Sequence, residues 1–387
     1  MPSEKPSLLR IPGPTPIPPS VQRAMFHPMI NHRGDETYSL LNKVKQDIKP
    51  IFGTEQDIVF ITGGGTAAME ASVINTTSFG DEILIISTGT FGLRFVDICH
   101  SLGNKIHHIE VDWGKALTPE VVIDFVKKNP NIKAVFVTFC ETSTGVLNPI
   151  KEIGHYIHRY SDALFIVDGV SCVGGVETKM DEWEIDILIT SSQKAMMLPP
   201  GLSIIAVSDR AWNHIENSKQ KGFYLDLKKY KNSLSSNRAP FTPALSLLLG
   251  LEKVLYILKQ EGLENVYKRH ELVMRMLRKA LKSLGIDLLV SDQHASPTVT
   301  AFIAKNFNGD DMRAWLKQEL GLILAGGLKN FEGEIIRIGH MGYCFPSDML
   351  QIISILEIGL KQFGENINLG EGVASAQKLY IENITTN

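Results

Sequence analysis

From Asp57 onward the chain alternates short, nearly continuous apolar runs with amphipathic stretches. The runs are DIVFIT (57–62), EILIIS (82–87), AVFVTF (134–139), ALFIVD (163–168), DILITS (186–191) and LSIIAV (202–207). They are rich in Ile and Val, as expected of strands covered on both faces by helices. TAAMEASVIN and LRFVDICHSLG, lying between runs, have the spacing of helices. Strand–helix alternation over this length predicts an α/β domain with a mostly parallel sheet. After Pro243 a long helical pattern begins, ALSLLLGLEKVLYILKQEGLENVYKRHELVMRMLRKALKSLG, which predicts two helices broken near Gly262. TVTAFIA, MRAWLKQEL, EIIRIGH and DMLQIISILEIGLKQFG then read as strand, helix, strand and helix, enough for a second, smaller α+β domain. The tail after Gly364 is weakly patterned and predicts a loose terminal helix. Ahead of all this, IPGPTPIPPS has neither period and reads as an extended arm crossing a surface, followed by a helix beginning near Ser20. The expected division is an arm (1–20), a large domain (21–260), a small domain (261–365) and a tail (366–387).

Composition changes this picture little. The 387 residues allow two domains, and 44% hydrophobic with 21% charged residues is ordinary for a globular protein. A net charge of -3 gives no reason to expect a nucleic acid or an anionic membrane surface as partner. Cys99, Cys140, Cys172 and Cys344 form no C-x-x-C pair, so no zinc or redox motif is signalled and no metal is expected. MPSEKPSLLR lacks a signal-peptide core, no run is apolar enough to span a membrane, and the C-terminal ITTN is not a peroxisomal address. The cytoplasm is the expected location.

Five places could carry chemistry. Gly63-Gly64-Gly65-Thr66 leaves a strand and opens a helix, where backbone N–H groups and the helix dipole suit a phosphate. A tight turn that binds nothing would look the same. Asp168 ends an apolar strand, at the edge where α/β sheets bind ligands. Buried there, it needs a cationic or N–H partner such as a protonated pyridine nitrogen, unless it merely caps a turn. Lys194, in SSQKAMMLPPG, sits in unusually apolar surroundings. Desolvation disfavours its ammonium form and makes a nucleophilic amine, as a Schiff-base lysine requires. The alternative is a lysine that snorkels to water. Phe91 offers a flat ring to an aromatic ligand or simply fills core. Arg337, interrupting an apolar strand, needs an anion: a substrate carboxylate or a structural partner.

In this order the glycine turn, the aromatic, E-T-S-T-G, V-D-G-V-S, S-S-Q-K-A with L-P-P-G, and R-I-G resemble class V aminotransferases of fold type I, above all the alanine–glyoxylate and serine–pyruvate group. The resemblance runs from IPGPTPIPP to RIGHMG, most of the chain. It implies a large domain with a mostly parallel seven-stranded sheet between helices, a smaller C-terminal α+β domain, and pyridoxal 5'-phosphate as cofactor. It further implies that Lys194 binds the cofactor as a Schiff base, that Asp168 holds the ring nitrogen protonated, and that Phe91 stacks on the ring where relatives often carry tryptophan. Thr142 would contact the ring hydroxyl. Gly64, Gly65 and Thr66 would cradle the phosphate, although histidine is common at the Thr66 position. Gln193 would reach the same phosphate, and Thr242 would complete the phosphate site of a neighbouring subunit in a homodimer. Arg337 would bind the substrate carboxylate, and the arm around Gly13 would line the substrate entrance.

The implied reaction moves an amino group from a small amino acid, alanine or serine, to a 2-oxo acid, glyoxylate or pyruvate. Aspartate, a ureido compound and aminoethylphosphonate are donors in related enzymes. A cysteine desulfurase of the same fold is a rival reading, and it requires a reactive cysteine on a mobile loop. A cofactor-bearing subunit of a larger complex is the non-enzymatic rival.

Overall fold

The computed structural model describes residues 7–218 and 222–385. Its centre is a seven-stranded sheet in the order Asp57–Thr62, Leu202–Val207, Ile187–Ser191, Leu164–Asp168, Ala134–Thr138, Glu82–Ser87 and Lys105–Glu110. Leu202–Val207 runs antiparallel to both neighbours and the remaining pairings are parallel. All six apolar runs are strands of this sheet. The seventh strand, KIHHIE at Lys105–Glu110, has no continuous apolar run. It lies at the sheet's edge, where most of its positions reach solvent, so burial did not impose an apolar pattern on it.

The period-two alternation of the strands sorts their side chains onto opposite faces. Leu84, Ile86, Val135 and Val137 join one apolar cluster, with the helices Asp35–Phe52, Ile150–Tyr160 and Leu245–Glu261. Ile83, Ile85, Ala134 and Phe136 join the other, with Gly65–Thr76, Thr90–Ser101 and Asp209–Asn217. Both faces are covered, which is why the runs are nearly continuous. The long helical pattern breaks at Gly262 into Leu245–Glu261 and Leu263–Ser283.

A third cluster forms where Leu263–Ser283 packs on a small antiparallel sheet, ordered Val299–Ile303, Ile335–Gly339 and Ala325–Gly326, and on the helices Gly309–Leu320 and Pro346–Gln362. The terminal helix, Glu371–Thr385, is docked here rather than loose, burying Gly372, Ala376 and Leu379. Its N-terminus is fixed by the buried carboxylate of Glu357, which accepts from the N–H groups of Gly370 (2.6 Å) and Val373 (3.0 Å). A tail with a weak apolar stripe is thus held by a charge carried elsewhere in the chain.

Two buried histidines brace the loop that follows Arg337. His270 Nδ1 donates to the Val266 carbonyl (2.7 Å), and Nε2 accepts from the Gly342 N–H (2.9 Å). His340 Nδ1 donates to the Pro297 carbonyl, and Nε2 accepts from the Thr300 hydroxyl (both 2.9 Å). Each ring is therefore neutral, and burial pushes each down to about 3. In the unfolded chain both titrate near 6.5, so the unfolded state takes up protons first as the pH falls. The stability these rings contribute is complete above about pH 6.5 and is lost progressively toward pH 3, at roughly 1.4 kcal/mol per histidine per pH unit. Urea unfolding between pH 7.5 and 5.5 should show a loss of about 2–3 kcal/mol. An unchanged midpoint over that range would refute the assignment.

Candidate active site

Lys194 stands in the turn after Ile187–Ser191, at the C-terminal edge of the sheet, and is only 8% exposed. The N-terminal arm buries it. Leu8–Leu9 pairs in parallel with Leu322–Ile323 of the smaller region, and the arm then crosses to the lysine. There the Thr15 N–H donates to the Gln193 carbonyl (3.1 Å), and the Thr15 hydroxyl to the Lys194 carbonyl (2.9 Å). The lysine's Nζ donates to the carbonyl of Pro12. Gly13 is required where it stands: its φ is +103°, and a Cβ would lie 2.6 Å from Lys194 Cδ. Burial pushes the amine down to about 8; Asp168 opposes that shift, and the guanidiniums of Arg337 and Arg94 add to it.

A cavity of about 120 Å3 opens on one side of the lysine, lined among others by Gly65, Thr66, Phe91, Asp168 and Gln193. Asp168 is buried, and its Oδ1 accepts from the Val170 N–H (2.9 Å). Its other oxygen has no partner among the described residues. Burial raises this carboxyl to about 6. At the helix Gly65–Thr76 the N–H groups of Gly65 and Thr66 have no acceptor within the described residues. Gly64 has φ −89°, and a Cβ on it would meet nothing within 4 Å. Neither backbone strain nor crowding inside the protein accounts for glycine there, which weighs against a turn that is tight for its own sake.

Phe91 sits in the first turn of Thr90–Ser101. The buried carboxylate of Glu141 takes its N–H (3.0 Å) and that of Gly92 (3.1 Å), anchoring the helix and aiming the ring at the cavity. Arg94, one turn on, lies over this ring at 4.8 Å and donates to the Thr66 hydroxyl (3.2 Å), with no carboxylate partner among the described residues. The Thr142 hydroxyl is hydrogen-bonded to Ser171. Gln193 Oε1 accepts from the Ser191 hydroxyl (2.6 Å).

A larger cleft of about 600 Å3 opens on the other side, and Phe91, Thr142 and Lys194 line both spaces. Gly13 and Arg337 line the cleft. Arg337 is 6% exposed. Its Nε donates to the Gly326 carbonyl (2.7 Å) and its Nη1 to the Thr142 carbonyl (2.9 Å). No carboxylate pairs with it among the described residues, so the alternative of a structural ion pair fails. Burial lowers the group to about 10 yet leaves it charged at neutral pH.

The structure therefore gathers Gly13, Gly65, Thr66, Phe91, Thr142, Asp168, Gln193, Lys194 and Arg337 around two joined spaces, with Gly64 at the N-terminus of the cradle helix. Thr242 is exposed and lines neither space of its own chain. Arg94 and Ser171 belong to the first space and were not singled out from sequence. Both lie in runs already in view, LRFVDICHSLG and V-D-G-V-S, and a cation one turn from an aromatic near an anion cradle is the signal that could have found Arg94. A buried amine of lowered basicity, an anion cradle, an unpaired acid and an unpaired guanidinium suit chemistry on a carboxylate substrate held beside an aromatic, phosphorylated cofactor.

A family model described as aminotransferase class-V matches residues 19–339. The chain is 37% identical over 376 residues to a soluble hydrogenase 42 kDa subunit of Anabaena cylindrica, covering 96% of this chain and 98% of that one. It is 35% identical over 388 residues to a serine–glyoxylate aminotransferase of Methylorubrum extorquens, covering 97% and 96%. Among solved structures, a ureidoglycine–glyoxylate aminotransferase from Bacillus subtilis superposes with a TM-score of 0.93 at 30% identity, over 98% of this chain and 99% of that one.

Proposed function

Because the chain belongs to the class-V aminotransferase family and is a pyridoxal-phosphate-dependent transaminase, we propose that it moves the amino group of a small amino acid, alanine or serine, to glyoxylate or pyruvate. One observation carries this reading: Lys194 lies buried between a space holding the half-satisfied Asp168 and a cleft holding the carboxylate-free Arg337.

The residues fit the cofactor. Gly64, Gly65 and Thr66 would hold its phosphate with free N–H groups at the helix start, joined by Gln193. Arg94 adds a cation where Thr66 stands in place of the histidine common in relatives. Phe91 would face the ring, Thr142 its hydroxyl, and Asp168 its nitrogen. When bound, pyridoxal phosphate supplies an electron sink for the pair left when the donor's α-proton departs. Arg337 fixes the donor through its carboxylate, bringing the α-carbon to Lys194. Nζ of Lys194 takes the α-proton and later returns it, acting as base and then acid. Asp168 keeps a proton on the ring nitrogen. The arm at Pro12–Gly13 closes one wall and limits water at the lysine.

A homodimer completes this reading, with Thr242 contributing to the partner's phosphate site. Thr242 is exposed, and Phe223, whose ring lies 5.8 Å from that of Phe241, is 77% exposed beside it. The four cysteines are free and buried, which supports a reducing compartment such as the cytoplasm and disfavours desulfurase chemistry. Cys344 in particular is pushed up to about 11 by burial. No helix among the described residues is long and apolar enough to cross a membrane. The cyanobacterial relative's name favours a second reading, a subunit of a larger assembly.

A spectral screen separates the two. Alanine or serine should bleach the visible band of the lysine-bound cofactor, and glyoxylate or pyruvate should restore it. A band indifferent to every amino acid would defeat the transaminase reading of the donor. A separate measurement tests Arg94. In Arg94→Gln, affinity for pyridoxal phosphate should fall roughly tenfold or more while affinity for unphosphorylated pyridoxal stays level. Equal losses for both would show that Arg94 serves the ring instead.

A further inference from the structure

The donor cleft contains a second guanidinium. Arg313, on the helix Gly309–Leu320, lines the same cleft as Arg337. Its Nε donates to the Leu324 carbonyl (3.0 Å) and its Nη1 pairs with Asp310. Its Nη2 has no partner among the described residues.

Gly326 ties the two arginines together. Its carbonyl accepts from Arg337 Nε (2.7 Å), and a Cβ on it would fall 2.5 Å from both Arg313 Nη1 and Asp310 Oδ1. The Arg313–Asp310 pair thus lies against the residue whose carbonyl orients Arg337, in room that only glycine leaves. The two cations are close enough that the charge of Arg313 is among the causes lowering Arg337. The Asp310 side chain is 50% exposed, and an ion pair so exposed is worth little, so another carboxylate can replace it at small cost. Glu332 also lines the cleft, and its charge works against a doubly negative ligand.

We propose that Arg313 reads the distal carboxylate of a short dicarboxylic amino donor such as aspartate, while Arg337 holds the α-carboxylate. The cleft then accepts a dicarboxylic donor alongside small ones, with Asp310 occupying Arg313 when the donor has no distal anion. This rests on the transaminase reading of the site. Two carboxylates held by two guanidiniums at fixed separation select for chain length as well as charge.

The test uses the holoenzyme and follows bleaching of the visible band by L-aspartate and by L-alanine. In Arg313→Gln the ratio of kcat/KM for aspartate to that for alanine should fall roughly ten- to hundredfold. In Asp310→Asn and in Glu332→Gln the same ratio should rise. Equal losses for both donors in Arg313→Gln would overturn the proposal. So would a wild-type enzyme bleached by alanine or serine but not by aspartate, an outcome that leaves the transaminase reading intact. If none of the three donors bleaches the band, the donor reading itself fails.

Discussion

Lys194→Ala should lose turnover by a factor on the order of 10^4 or more, because in the proposed reaction one atom, Nζ, serves as cofactor anchor, base and acid. The variant should also lack the visible band of the lysine-bound cofactor, measured after reconstitution and gel filtration. Added ethylamine should restore a part of the activity, since a free amine can carry the proton that Nζ no longer carries. The wild type has a companion signature in pH. With the amine held near 8, the free base that attacks the cofactor aldehyde increases as pH rises toward 8 and levels off above it. The rate of cofactor attachment to the apoenzyme should follow the same curve. A rate that still climbs about tenfold per pH unit beyond about pH 8.5 would mean that the lysine is not desolvated. A Lys194→Ala enzyme with full activity would remove the assignment altogether.

Arg337→Gln should lower kcat/KM for alanine by roughly 10^2–10^3, the usual cost of taking one partner from a buried, hydrogen-bonded charge pair. Two carbonyls, Gly326 and Thr142, already orient the guanidinium, so little of its binding energy is spent on ordering it. Arg337→Lys should recover little, because an ammonium cannot reproduce a planar fork held by two fixed acceptors. Ethylamine, an amine with no carboxylate, serves as the control. Its reaction with the bound cofactor should be similar in wild type and Arg337→Gln. A variant impaired equally toward alanine and ethylamine would show a damaged site rather than a missing clamp.

Much of this site is legible in the chain because its residues stand at ends of apolar runs. Asp168 ends, and Lys194 follows, a strand whose neighbours on both faces must be covered, and a charge there is out of place unless it meets a ligand. Arg337 is conspicuous for the same reason, but only the structure shows that no carboxylate answers it. What the sequence hides is what depends on distance along the chain. The carbonyl that holds the lysine amine belongs to Pro12, 182 positions away, and nothing local marks it. Arg94 and Arg313 lie on helices where a charge is commonplace, so pattern alone cannot tell a solvated face from one turned into a cavity. The edge strand Lys105–Glu110 is hidden because half-solvated positions lose the apolar signature. The terminal helix is expected from the sequence, but its docking is hidden because Glu357, not its own stripe, fixes its start.

Gly64 has a consequence for how such a protein tolerates change. Alanine there meets no atom and no forbidden backbone angle, so folding should register the change at about 1 kcal/mol or less. A screen that reads only solubility or melting temperature would pass that variant as silent. Yet the added methyl would stand next to the N–H groups proposed to hold the phosphate. If the proposed cradle is right, the chain stores at this position the outline of a molecule it does not encode, and selection for stability alone would let that outline fade.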